Sequence, residues 1–203
     1  VDADNVFIVS RKTPISDVPK MYIGCEMKDD GNYVMTEDEK NTFLQNEPQA
    51  EKYIHPYMMG KDFIARKSRY CLWLKDILPS ELKKYPKIME RVKNVREFRL
   101  SCPSPDTNHY ADKPTFPVRL RYYSEDRINP ALALPKVSSQ NRRYIPMEVI
   151  DADVIAGSKL FLIPDISLYH FGVLTSNVHM AWMRTVCGRL KSDYSYASNV
   201  VYN

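Results

Sequence analysis

The chain has 203 residues and a mass of 23.7 kDa, which is enough for one large domain or two small ones with a sizeable core. Hydrophobic residues make up 44% and charged residues 27% of the sequence, a globular composition that excludes a wholly disordered chain. The longest apolar runs are a few residues, whereas a membrane helix needs about 20, so no membrane partner is predicted.

The net charge of +4 conceals an uneven distribution of charge. Residues 83–99 and residues 113–145 each contain seven basic and two acidic side chains, whereas residues 17–51 contain nine acidic and three basic ones. A protein that faces a polyanion through one surface shows such asymmetry. The first cluster also fits the solvated face of an amphipathic helix, but the second lies in strand-like and loop-like sequence. Arg119 and Arg121 of the second cluster are therefore predicted to contact a nucleic-acid backbone.

The predicted elements of the first half begin with short strands at 5–9 and 32–35. Thr36 followed by Glu39 is a capping-box pattern, which predicts a helix over 37–46. A short helix at 48–54 and a buried strand at 69–74 follow. Apolar residues at helical spacing then predict an amphipathic helix over 87–100, and the stripe consists of Ile88, Val92, Val95 and Phe98.

The second half begins with a segment, 101–117, that holds four prolines and predicts a loop joining two subdomains, 1–102 and 113–203. Short strands are predicted at 118–123, 131–134, 144–150 and 159–163, and helices at 166–174 and 177–190. In the last helix, five residues are predicted to face the core: Val178, Ala181, Trp182, Met183 and Val186. Because helices and strands mix without a βαβ rhythm, the sequence predicts an α+β fold with short-stranded sheets and packed helices.

Residues 135–146 hold the most informative polar sequence of the chain. Gln140, Arg142 and Tyr144 alternate along it, so an extended segment would project all three to one face, where they could read base edges. Contacts with the DNA backbone are predicted for a second set: Lys136, Ser138, Ser139 and Arg143. Ser176 and Asn177 at a predicted helix N-terminus could bind a phosphate, although the same helix also fits a purely structural role.

Catalytic and metal-binding motifs are not evident in the sequence. It contains no Walker loop, GxGxxG, GxSxG or HExxH, and the sequence Asn129-Pro130-Ala131-Leu132 departs from the Asn-Pro-Pro-aromatic motif of amino-methyltransferases. The four cysteines and four histidines are scattered, which predicts reduced thiols, no metal site and a cytoplasmic protein. A self-contained hydrolase that uses Cys187 with a histidine, His170 or His179, is the alternative of another class. An RNA-binding module is a further alternative.

Specific stretches then resemble a known family. The strongest are residues 170–182 and 188–193, and the others are 5–8 with Arg11, 14–15, 21–24, 48–54, 69–74, 91–99, 137–139 and 142–146. Together they resemble the target recognition domain of the MmeI-like type IIG restriction–modification enzymes, bacterial proteins that methylate adenine and usually also cut DNA. The resemblance covers nearly all of residues 1–203.

The resemblance implies sequence-specific recognition of double-stranded DNA by a piece of a longer methyltransferase polypeptide. The methyltransferase domain would lie upstream and bind S-adenosylmethionine, Mg²⁺ would be needed if the parent cleaves, and this chain would hold no cofactor and no catalytic residue. Gln140 stands where many relatives have Glu, and Glu148 where many have Gly. These departures leave the recognised sequence open.

Overall fold

The computed structural model describes residues 7–119 and 130–203. The strands are β1 (Tyr22–Ile23), β2 (Val34–Met35), β3 (Ile54–Met58), β4 (Arg69–Leu72), β5 (Ala131–Pro135), β6 (Val137–Ser138), β7 (Glu148–Ile150), β8 (Ile155–Ala156), β9 (Leu160–Pro164), β10 (Gly188–Leu190) and β11 (Asp193–Ser195). The α-helices are α1 (Glu37–Asn46), α2 (Gly60–Ala65), α3 (Pro79–Leu82), α4 (Pro86–Ser101), α5 (Pro105–His109), α6 (Leu168–Leu174) and α7 (Asn177–Val186). Shorter 3₁₀ and π-helical turns are Pro48–Tyr53, Tyr110–Asp112 and Ser198–Tyr202.

The chain divides into two compact units, each assembled from separated segments. Within the described residues, the first unit takes 7–22, 130–152 and 159–203, and the second takes 23–119 and 153–158. This division differs from the predicted subdomains 1–102 and 113–203. Residues 105–112 of the predicted joining loop form α5 and a 3₁₀ turn that pack on α4, so the segment belongs to the second unit.

The first unit contains two sheets, in which the pairs β5–β9, β5–β7, β10–β11 and β11–β6 are antiparallel. One has the strand order β1-β9-β5-β7, and the other has the order β10-β11-β6. Every residue of β5 is buried, and so are the first four residues of β9, because these two strands pair along their full length in the middle of their sheet. Such continuous apolar strands are typical of a sheet covered on both faces.

The second unit packs helices against a sheet with the order β2-β4-β3-β8, in which β3 and β8 run parallel. The predicted helix 37–46 is confirmed, because Thr36 accepts from the Glu39 amide and the Glu39 carboxylate accepts from the Thr36 amide. The predicted helix 87–100 is also confirmed, with one change in its buried stripe. Arg99 rather than Phe98 completes the stripe after Ile88, Val92 and Val95.

The predicted helix over 177–190 is too long. α7 ends at Val186, because Cys187 adopts an extended conformation with φ −71° and ψ 153°. Gly188–Leu190 then pairs with Asp193–Ser195 as a hairpin. The predicted strand at 144–150 is shorter in the structure, where only Glu148–Ile150 is a strand. Of the predicted strand at 118–123, Arg119 forms an isolated bridge with Glu26. Positions 120–123 lie outside the described residues.

Candidate nucleic-acid interface

The first unit carries an exposed polar turn at the tip of the segment between β5 and β7. We call residues 136–147 the basic loop. Gln140, Asn141, Arg142 and Arg143 are exposed within it, Tyr144 is half-buried and Ile145 is buried. Ile145 therefore fixes the end of the loop to the interior, while four consecutive polar side chains face solvent.

A hydrogen-bonded turn shapes this tip. The Arg142 amide donates to the Ser139 carbonyl at 3.1 Å, and the Asn141 amide donates to Ser139 Oγ at 3.3 Å. The predicted extended alternation of Gln140, Arg142 and Tyr144 is therefore wrong, because an i to i+3 bond reverses the chain here. Gln140 and Asn141 are the two central residues of that turn.

The basic loop is held against the hairpin formed by β10 and β11. Val137 and Ser138 pair with Ser195 and Tyr194, and the Gln140 amide donates to Asp193 Oδ1 at 3.4 Å. The hairpin adds two exposed cations beside this contact, Arg189 and Lys191. The Arg189 guanidinium lies 4.1 Å from the centroid of the Tyr194 ring. Sequence reasoning missed Arg189 because it assigned residues 188–190 to the end of a helix.

α7 fixes the other end of the basic loop. Tyr144 Oη donates to Asn177 Oδ1 at 2.9 Å, and Arg184 Nη2 donates to the Arg143 carbonyl at 3.0 Å. The Arg143 guanidinium lies 5.3 Å from the Tyr144 ring centroid, within the range of a cation–π contact. The Tyr144 proton is thus already used in holding the loop, which weighs against its predicted hydrogen bond to a base.

Ser176 begins α7 as the sequence predicts. Its Oγ accepts from the His179 amide at 3.1 Å, so the hydroxyl caps the helix and is not aimed outward as a separate donor. Asn177 is exposed and holds Tyr144. These two residues therefore have structural roles, and any phosphate contact at this helix end would come in addition to them.

Two of the predicted backbone contacts do not fit the geometry. Ser138 is 3% exposed, and its Oγ has no hydrogen-bond partner among the described residues, so it cannot reach a phosphate from inside the sheet. Arg119 belongs to the second unit, and its guanidinium lies 2.6 Å from Asp106 Oδ2 and 3.8 Å from Glu26 Oε2. Those carboxylates offset its charge. Arg121 lies outside the described residues.

Lys136 and Ser139 stay at the base of the exposed turn, and both are half-buried. The Lys136 amide donates to the Lys159 carbonyl at 3.0 Å, and its ammonium lies 5.5 Å from the Phe161 ring centroid. Together, the structure brings Lys136, Ser139, Gln140, Arg142, Arg143, Tyr144, Ser176 and Asn177 into one unit, and it leaves Arg119 in the other.

The alternative of a Cys187 nucleophile is not supported by its surroundings. Burial raises the pKa of the Cys187 thiol, which keeps it protonated, and burial lowers the pKa of His179. His179 Nε2 lies 3.2 Å from the Tyr196 hydroxyl, so this histidine already has a partner. Within residues 7–119 and 130–203, no three His, Cys, Asp or Glu side chains are grouped as a metal site would need. No helix in that part of the chain is both long and apolar enough to cross a bilayer.

Comparison with known proteins gives consistent matches over the whole chain. The family model "MmeI, target recognition domain" matches residues 2–203. The chain is 34% identical to DNA methyltransferase A of Bacillus subtilis (strain 168) over 202 residues, which is 100% of this chain and 22% of that protein. It is 38% identical to a solved structure of the type IIL restriction-modification enzyme MmeI in complex with DNA, with a TM-score of 0.93. That match covers 100% of this chain and 27% of the MmeI chain.

The chain thus spans about a quarter of the length of these relatives. Their similarity extends to the fold itself, and it confirms the mixed α+β architecture that the sequence predicts. The chain belongs to the MmeI target recognition domain family.

Proposed function

We propose that this chain reads a specific sequence in double-stranded DNA on behalf of a longer polypeptide that methylates adenine and also functions in restriction. The observation that carries the proposal is the basic loop of the first unit. There a hydrogen-bonded turn exposes Gln140 and Arg142 to solvent, close in sequence to Lys136 and Arg143, which could bind phosphates. The solved relative in complex with DNA, at 38% identity, supports the same partner for this chain.

Gln140 and Arg142 are the side chains that we assign to base reading. Arg can bond the two acceptors of guanine, and Gln can bond the acceptor and donor of adenine. Each such pair is worth about 1–3 kcal/mol of discrimination against a wrong base. Arg143, Lys136 and Ser139 would bind the backbone, together with Arg189 of the hairpin. Tyr144 and Asn177 would hold the loop in place.

Methyl transfer itself would take place in another domain of the same polypeptide. Ala131 and Leu132, which follow the Asn-Pro sequence, are fully buried in β5, so this stretch does not offer the open motif that an amino-methyltransferase would use. We therefore assign the cofactor to the methyltransferase domain, and Mg²⁺ would be required only if the polypeptide cleaves. A DNA-modifying function is consistent with a cytoplasmic location.

Mapping modified bases in DNA exposed to the full-length polypeptide tests this proposal. We expect methylated adenines that share one recognition sequence, and we expect that Arg142→Ala reduces modification at that sequence. Lys93→Ala is the matched control, because Lys93 is an exposed cation on α4 of the second unit. Unmodified adenines, adenines modified without a common sequence, or equal losses in both variants would contradict the proposal.

A further inference from the structure

α6 and α7 carry a face of large apolar side chains that lie open to solvent. Leu168 is 88% exposed, Tyr169 77% and Val178 81%, and Val173 and Trp182 are close to half exposed. We call these five residues the apolar face. With Gly172, Ser176 and His179 they line one shallow groove in the first unit. A continuous patch of this kind marks an interaction site, whereas single exposed apolar residues do not.

The spacing of apolar residues along α7 is typical of a helix face that is buried against a neighbour. The sequence predicts that Val178, Trp182 and Met183 of α7 face the core. Of these three residues, only Met183 is buried. α6 contains no Lys, Arg, Asp or Glu, and neither do the residues that line the groove. A surface without cations does not suit a phosphate backbone, so DNA is not the partner that this chemistry favours.

Residues 14–18 and the last four residues of the chain lie beside the apolar face. The Arg11 amide donates to the Asn199 carbonyl at 2.8 Å, and Asn203 Nδ2 donates to the Arg11 carbonyl at 3.0 Å. Trp182 Nε1 donates to the Val201 carbonyl at 3.1 Å. A hollow that shares Tyr169, Val173 and Trp182 with the groove is also lined by residues 14–18 and 200–203.

The lengths of the relatives indicate what could cover the apolar face. About three quarters of each relative's polypeptide lies outside the matched region, and it must join that region at one or both ends. A segment joined after residue 203 would begin beside the apolar face, because residues 200–203 line the adjoining hollow. A neighbouring segment tethered there would have a high effective concentration over the groove.

We propose that the apolar face is the docking surface for the flanking domain of the same polypeptide, which would cover it with an apolar surface of its own. This proposal rests on the part of the proposed function that makes the chain one domain of a longer polypeptide. It does not depend on which DNA sequence is read, or on whether DNA is bound at all.

Cysteine labelling in the full-length polypeptide tests the docking surface. Leu168→Cys and Val178→Cys place thiols on the apolar face, and Val149→Cys is the matched control on β7, where Val149 is 54% exposed. Each rate is read from the modified peptide by mass spectrometry and divided by its rate in denaturant, which separates the new thiols from the native cysteines. All three replaced side chains are exposed, so the variants should fold.

We expect labelling at positions 168 and 178 to be at least about tenfold slower than at position 149, without DNA and at every protein concentration. Equal rates at the three positions would overturn the proposal. Protection that disappears on dilution would assign the face to a second copy, and protection that requires DNA would assign it to nucleic acid. Both of those results also overturn it. None of these readouts uses methylation, so a failure here is distinguishable from a failure of the DNA-reading proposal.

Discussion

Arg99 joins two backbone segments of the second unit to α4 through one buried cation. Its guanidinium donates to the carbonyl oxygens of Met27, Lys28, Tyr110 and Lys113 at 2.7–3.1 Å, and the residue has no exposed surface. Burial lowers the pKa of Arg99, but the four carbonyl dipoles compensate the charge in place of water. The residue therefore organises the turn at 27–28 and the segment 110–113 around the end of α4.

Replacing Arg99 by Lys should destabilise the chain strongly. A lysine ammonium has three donors at one point and cannot reproduce the planar fork that reaches four carbonyls. We expect a loss of about 2–4 kcal/mol in the free energy of unfolding, measured by urea denaturation. Arg96→Lys, three residues earlier on the exposed side of α4, is the control and should cost less than about 0.5 kcal/mol. Similar losses in the two variants would contradict this role for Arg99.

Cys187 should behave as an unreactive thiol. Because burial raises the pKa of its thiol, the thiolate is a minor species at pH 7. We expect a thiol reagent to label it more slowly than a free thiol in solution at that pH. The rate should rise as the pH increases through the raised pKa. Fast, selective labelling near neutrality would support the hydrolase alternative instead.

At the scale of elements, predictions succeeded where the signal is local. The capping box of α1 and the apolar stripe of α4 lie within a few residues of sequence, and both helices form as predicted. The hairpin of β10 and β11 was missed because its register with β6 depends on residues more than fifty positions away. The turn at Gln140 and Asn141 was missed because its backbone bonds carry no glycine or proline signal.

Tyr144 and Asn177 should position the basic loop together, through the hydrogen bond that joins them. Tyr144→Phe and Asn177→Ala each remove it, and each should weaken binding to the recognised sequence by about 0.5–1.5 kcal/mol, measured in the intact polypeptide. The double variant should cost little more than either single change, since both remove the same interaction. Thr185→Ala on the exposed side of α7 is the control. Fully additive losses would show that the two residues contact DNA separately.

Lys136, at the base of the basic loop, should strengthen DNA binding through its charge, without preference for any DNA sequence. Lys136→Ala should weaken binding to all DNA sequences about equally and reduce the salt dependence of the affinity by about one unit of slope. Lys93→Ala on α4 should leave that slope unchanged if the cluster at 83–99 is a solvated helix face. The slopes come from affinities measured over a range of salt concentrations. A selective loss at one base position in Lys136→Ala would instead make Lys136 a base reader.

On the scale of the whole molecule, the sequence predicted the fold class but not the division of the chain into its two units. Each unit combines distant segments, such as 153–158 with 23–119, and no local change in composition marks where the chain passes from one unit to the other. Burial decided which predicted site residues remain candidates: Ser138 points into the sheet, whereas Gln140 and Arg142 face solvent. The sequence predicts Val178 and Trp182 as core residues because they lie on the apolar side of an amphipathic helix. That pattern does not distinguish a face buried within the domain from a face covered by another domain.

The central claim is that this chain reads DNA sequence, and Gln140→Glu in the full-length polypeptide tests it most directly. A carboxylate only accepts hydrogen bonds, so it favours cytosine where the amide of Gln favours adenine. Asn141→Asp adds the same charge one residue further along the turn and serves as the control. Sequencing of modified bases should show that Gln140→Glu changes the preferred base at one position of the site, while Asn141→Asp keeps the original site. A Gln140→Glu enzyme that methylates the original site with unaltered specificity and rate would contradict the account.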